Sequence, residues 1–302
     1  MSANLKRGCG ILLGAAFIIL SILALLPEAD VDHDAGYISS ELNIQETVDG
    51  SVTGTSYVNS DGVITEAIDM DYATVCRMWD ENGRIIGERY LDANGDPVAR
   101  YDDYYGVSYE YDETSTVITY LDAEGNPIIR SDGYSTIIRT QIDSMASEDF
   151  YYDLDGQQVQ CSGGYYGLQH WYNSDGQNTG MTFLDKDGHA VCSSSGYAGV
   201  TYQCNMDGTV VGQQYFDTEG NPVRASLGQY GELYQRNEQG YISQITFLDA
   251  DGNPAPTNAG YTILKRIYHR DGTIDTDRYF DAEGNQKALS KGQYGIKRSG
   301  KV

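Results

Sequence analysis

One six-residue phrase, aromatic–hydrophobic–Asp–x–x–Gly, returns seven times in this chain and dictates its plan. It runs Tyr90-Leu91-Asp92 to Gly95, Tyr120-Leu121-Asp122 to Gly125, Tyr151-Tyr152-Asp153 to Gly156 and Phe183-Leu184-Asp185 to Gly188. It continues as Tyr215-Phe216-Asp217 to Gly220, Phe247-Leu248-Asp249 to Gly252 and Tyr279-Phe280-Asp281 to Gly284. Successive glycines stand 30, 31, 32, 32, 32 and 32 residues apart, and a degenerate copy spans Tyr57 to Gly62. Eight residues after six of these glycines come Gly133, Gly164, Gly196, Gly228, Gly260 and Gly292. Twelve beyond come Gly176, Gly208, Gly240 and Gly272. A fixed period of this length specifies a repeat protein, in which each unit buries its apolar face against its neighbours.

The glycine spacings of 8, 12 and 12 divide each unit into three extended segments separated by three turns. No segment has a 3.6-residue apolar period, and none leaves room for a helix of three turns. Val200-Thr201-Tyr202-Gln203-Cys204 alternates as a strand does. Asp-Gly and Glu-Gly-Asn-Pro are turn chemistry, since Gly accepts positive φ and Asp or Asn bonds nearby backbone. The expected fold is an all-β repeat array, antiparallel β-hairpin or β-solenoid-like, with three strands per 32-residue unit.

Tyr supplies 26 of the aromatic residues against 6 Phe and 2 Trp. They form two families. The aromatic of the phrase predicts a core ladder of stacked rings. The second family follows the eighth-residue glycine: Tyr134, Tyr165, Tyr197 and Tyr261, with Tyr230 and Tyr294 displaced by one. One family is expected to pack and the other to be partly exposed, and the second provides the candidate ligand-binding rings, flat faces suited to sugars. The Asp of the phrase is expected to hold its turn by hydrogen bonds. Asp249-Ala250-Asp251-Gly252-Asn253 also resembles the opening of a calcium loop, which makes Asp185, Asp187, Asp249 and Asp251 candidate ligands for weak Ca²⁺ binding. The twelfth position from Asp249 is Gly260, where an EF-hand requires Glu.

Lys6 and Arg7 precede Cys9–Leu26, eighteen residues without a charge, and Glu28, Asp30, Asp32 and Asp34 follow. This pattern predicts one N-terminal transmembrane helix with the chain beyond it outside the cell; a cleaved signal peptide is the alternative. The expected organisation is a stub and anchor over 1–27, an acidic tether over 28–56, tandem repeats over 57–298 and a tail over 299–302. With 44 acidic and 20 basic side chains the formal charge is −24, which disfavours nucleic acids, anionic lipids and teichoic acids as partners. Export would place Cys76, Cys161, Cys192 and Cys204 in an oxidising space, where their pairing stays open. The chain lacks G-x-S-x-G, H-E-x-x-H, a Walker loop and C-x-x-C, and His170, His189 and His269 fall at unrelated phases of the repeat. These features favour a non-catalytic protein.

Tyr-Phe-Asp-x-x-Gly followed by Gly-Tyr resembles the cell-wall-binding, choline-binding-type repeats of Gram-positive surface proteins. Tyr111-Asp112 and Tyr268-His269-Arg270-Asp271-Gly272 are similar to the YD repeats of Rhs-type proteins. The resemblance covers roughly residues 57–296. It departs from the cell-wall repeats in unit length and in having only Trp79 and Trp171, so no choline site carries over. It implies a β-hairpin repeat ectodomain that binds glycan or other surface partners and is not a catalyst. Seven near-equal copies add the expectation that binding to neutral cell-wall glycan or another surface protein is multivalent and weak at each site, without a cofactor. The alternatives are a spacer or accessory subunit, or a Ca²⁺-stabilised adhesion module.

Overall fold

A computed structural model describes residues 43–66, 71–101, 103–269 and 273–298. The expected anchor over 1–27, the first part of the tether and the tail over 299–302 lie outside the described residues. Among those residues there is no helix, and seventeen strands follow one another. They begin with β1 (Asn43–Asp49), β2 (Val52–Val58), β3 (Thr74–Trp79), β4 (Ile85–Leu91), β5 (Gly106–Tyr111) and β6 (Ser115–Leu121). Next come β7 (Thr136–Asp143), β8 (Ala146–Tyr152), β9 (Gly167–Tyr172), β10 (Asn178–Leu184), β11 (Gly199–Cys204) and β12 (Val210–Phe216). The series ends with β13 (Gly231–Arg236), β14 (Ile242–Leu248), β15 (Ile263–Tyr268), β16 (Ile274–Phe280) and β17 (Gly295–Lys297).

Every strand pairs antiparallel with the one before it, so the sheet is an open meander of hairpins in chain order. Each copy of the phrase closes the second strand of one hairpin. The degenerate copy at Tyr57 does the same in β2, and β1 pairs with it along seven residues. This corrects the expected tether: residues 43–56 belong to the sheet.

One local rule makes the three turns of a unit. At Asp80 the Gly83 N–H donates to Asp80 O, and the Asp80 N–H donates to Arg84 O. The same pair of bonds recurs at Asp92 with Gly95 and Asp96, and at Cys161 with Gly164 and Tyr165. This is a type I turn closed by a left-handed residue, the three-residue hairpin loop with its built-in bulge. Gly196, at φ +87°, shows why the beat is kept by glycine: a side chain is strained in that conformation even though nothing crowds the position. The expected third strand is corrected here. Two such turns only eight residues apart leave too little chain between them, and the segment shrinks to an isolated bridge such as Leu248↔Pro254.

The two faces of the sheet differ. On one, the aromatic of the phrase sits opposite an apolar partner: Val75↔Tyr90, Val107↔Tyr120, Ile137↔Tyr151, Leu168↔Phe183, Val200↔Tyr215 and Leu264↔Tyr279. The connections between hairpins cover this face and in most units insert one more ring, as Tyr72, Tyr104, Tyr134, Tyr165, Tyr197 and Tyr261 do. On the other face glycines open several strands. A Cβ on Gly231 would stand 2.5 Å from Gln213 O, so the backbones of β12 and β13 approach closely only because that side chain is missing.

Candidate functional site

The two tyrosine families form one structure. Rings alternate between them from Tyr57 through Tyr72, Tyr90, Tyr104, Tyr120, Tyr134, Tyr151, Tyr165, Phe183 and Tyr197 to Tyr215. Their centroid separations run from 4.4 to 6.0 Å. The contacts resume at Phe247, Tyr261 and Tyr279. The candidate ligand-binding residues Tyr134, Tyr165, Tyr197 and Tyr261 are therefore interior, with 6–9% exposure. The expectation that one family would stand partly open is corrected: eight residues after the phrase the chain has folded back over its own strand, which brings the second ring between two of the first. Tyr230 is half-buried under the Arg224 guanidinium, and Tyr294 is the exposed member at 51%. Burial pushes the Tyr197 and Tyr261 phenols up to about 12, so both stay neutral at physiological pH.

The turn carboxylates serve the backbone. Asp185 Oδ1 accepts the N–H groups of Asp187 and His189, each at 2.9 Å. Asp249 Oδ1 accepts those of Asp251 and Asn253 at 3.0 and 2.8 Å. Asp187 and Asp251 are exposed, and Asp187 lies 3.5 Å from Lys186 Nζ. Among the described residues no three His, Cys, Asp or Glu side chains converge as metal ligands would. Backbone N–H groups hold the Asp92, Asp122, Asp185, Asp217 and Asp281 carboxyls below the usual carboxylate range. Cys76, Cys161, Cys192 and Cys204 stand as free thiols.

Beside the ladder runs a polar row that sequence reasoning did not single out. Arg77 Nε meets Glu88 Oε1 at 2.8 Å, Arg139 Nη2 meets Asp149 Oδ2 at 2.6 Å, and Arg266 Nε meets Asp277 Oδ1 at 2.8 Å. His170, with no exposed surface, adds its Nε2 at 3.3 Å from Asp149 Oδ2. Each of these acids is buried two residues before an aromatic of the phrase and faces the same way. The alternation of β-strand side chains was the available signal, because it puts Glu88, Asp149 and Asp277 on the core face by parity alone.

A fourth buried acid breaks the pattern. Glu232 occupies a position that is apolar in the sister hairpins, directly opposite Phe247. Its Oε1 accepts from Tyr215 Oη at 3.1 Å and from Gln229 Nε2 at 2.9 Å, and its Oε2 accepts from Tyr234 Oη at 2.8 Å. Burial pushes its carboxyl above the usual range, against the pull of those three donors. A cleft of about 320 Å³ lies against this part of the sheet, lined by Thr201, Gln203, Gln213, Gln214, Glu232 and Leu233 among others. Aligning the chain with itself gives the signal: Gln229 stands where four units have Tyr134, Tyr165, Tyr197 and Tyr261, a change shared by Gln293, and Glu232 stands where that last unit keeps Ile296. Compared with known proteins, the chain matches no family model and no curated protein.

Proposed function

We propose that this chain is a non-catalytic, membrane-anchored ectodomain whose hairpin array serves as a spacer and scaffold at the cell surface. The position of the recurring tyrosines carries the reading. Rings buried from one hairpin to the next supply a core that any number of units can extend, and among the described residues the ladder forms no open row of aromatic platforms for a ligand. The anchor read from Cys9–Leu26 and the charge of −24 fit a chain held at the membrane and repelled from anionic surfaces. Strands lie ~4.8 Å apart, so each hairpin adds about 10 Å of sheet. The test is distance. Full-length protein in liposomes, with a fluorophore on its C-terminus, is compared with a variant lacking residues 167–198. Energy transfer to a membrane dye should increase on deletion; equal transfer in both would sink the spacer reading.

A second reading, retention on neutral cell-wall glycan or a surface protein, draws on the face opposite the ladder. Trp171 is 42% exposed there, its indole N–H on Thr182 Oγ1 at 3.2 Å, and the Thr201–Gln214 cleft adds amide groups suited to hydroxyls. Pull-down on peptidoglycan with and without Ca²⁺ tests it. Retention that survives high salt supports glycan stacking, which ions hardly screen. Absence of retention in every buffer leaves the scaffold reading alone.

A further inference from the structure

One rung of the array is made of different chemistry from its sisters. Where Tyr134, Tyr165, Tyr197 and Tyr261 follow the turn, this unit has Gln229; three residues on, where the others have Ile137, Leu168, Val200 and Leu264, it has Glu232. Both replacements are interior, at 3% and 5% exposure. The paired substitution interrupts the aromatic contacts between Tyr215 and Phe247.

What the rung lacks can be read from its hydrogen bonds. Gln213 Nε2 donates to Tyr215 Oη at 2.5 Å, and Tyr215, Tyr234 and the Gln229 amide N–H all donate to Glu232. Gln229 Oε1 is buried with no partner. Both phenol O–H groups are committed to Glu232, and the polar atom left over is an acceptor, Gln229 Oε1. The buried acids Glu88, Asp149 and Asp277 are each neutralised by an arginine, whereas Glu232 meets no Lys, Arg or His within salt-bridge distance among the described residues. A buried carboxylate without a counter-charge is strongly unfavourable. Hairpins with Val200 or Leu264 at this position show that the fold does not require one.

We propose that this rung binds a single small monovalent cation of the alkali class, with the Glu232 carboxylate and Gln229 Oε1 as its principal ligands and the Tyr215 and Tyr234 phenol oxygens beside them. One carboxylate among neutral oxygens suits an ion of single charge; Ca²⁺ gathers several carboxylates. The acidic chain, at a formal charge of −24, concentrates cations around itself. This site is independent of the scaffold reading above.

The experiment is thermal unfolding of the full chain in neutral detergent, followed by near-ultraviolet circular dichroism. Potassium, sodium and tetramethylammonium chlorides are compared at equal ionic strength. At five- to tenfold excess over its dissociation constant, K⁺ or Na⁺ should raise the midpoint by roughly 2–4 °C relative to tetramethylammonium. Glu232→Gln should abolish that difference. The double variant Gln229→Tyr/Glu232→Val restores the chemistry of the sister rungs; it should fold and show no ion dependence. Equal midpoints in all three salts would overturn the proposal, with a protonated Glu232 then explaining the rung through stability that falls as pH rises above the carboxylate range. An ion effect that persists in the double variant would overturn it too, by placing the cation elsewhere.

Discussion

At Asp149 two opposing effects meet. Burial raises its carboxyl, while the Arg139 and His170 hydrogen bonds and charges lower it, and the lowering prevails at about 2. A folded value below the ordinary ~3.9 means stability that is fully present above that value and is lost as pH falls from ~4 toward 2. Acid titration of wild type should show this loss, and Arg139→Met should cost about 3–5 kcal/mol at neutral pH by leaving Asp149 without its arginine, measured by urea unfolding. Gly196→Ala is expected to cost about 1–2 kcal/mol, the strain of a side chain in a left-handed turn, since nothing else lies near that position. The glycine beat was legible because conformation at those positions depends on one residue alone. The core row of acids was less so: Glu88 and Asp149 look like ordinary surface carboxylates until the parity of their strands and the arginine on the neighbouring strand are known.

The hairpin is the element that repeats, and its core is the tyrosine inserted between two others. Tyr151 packs against Tyr134 at 4.4 Å and Tyr165 at 6.0 Å and is 4% exposed, so Tyr151→Ala should destabilise its part of the array by about 3–5 kcal/mol. Hydrogen exchange should show the loss concentrated in β6 to β9 rather than spread over all strands, as nearest-neighbour coupling requires. The two strands of each hairpin could be read from alternation and turn residues. The third segment could not, because glycine spacing counts residues without saying how many of them the turns consume. For the same reason Tyr134 and its sisters looked available: whether a ring after a turn faces water or the core depends on where the connection lands.

For the array as a whole, period is the controlling variable. Removing residues 167–198 takes out β9 and β10 with their turns and joins Tyr166 to Gly199, which lies one 32-residue step beyond Gly167. The shortened chain is expected to fold, with far-ultraviolet circular dichroism reduced in proportion to its length; a variant lacking sixteen residues should misfold, because half a step puts turn glycines into strands. The number of hairpins was legible, down to the degenerate copy at Tyr57. The strand β1 was not, since Asn43–Asp49 carries no copy of the phrase and joins the sheet through its partner β2.

The ring ladder also has an optical consequence. Phenol rings separated by 4.4 to 6.0 Å are far closer than the range over which one tyrosine passes its excitation to the next. Light absorbed at any rung between Tyr57 and Tyr215 will therefore migrate before it is emitted, and the emission will be strongly depolarised even in a chain that tumbles slowly. Excitation selected at the red edge of the tyrosine band, where such migration fails, should restore the anisotropy.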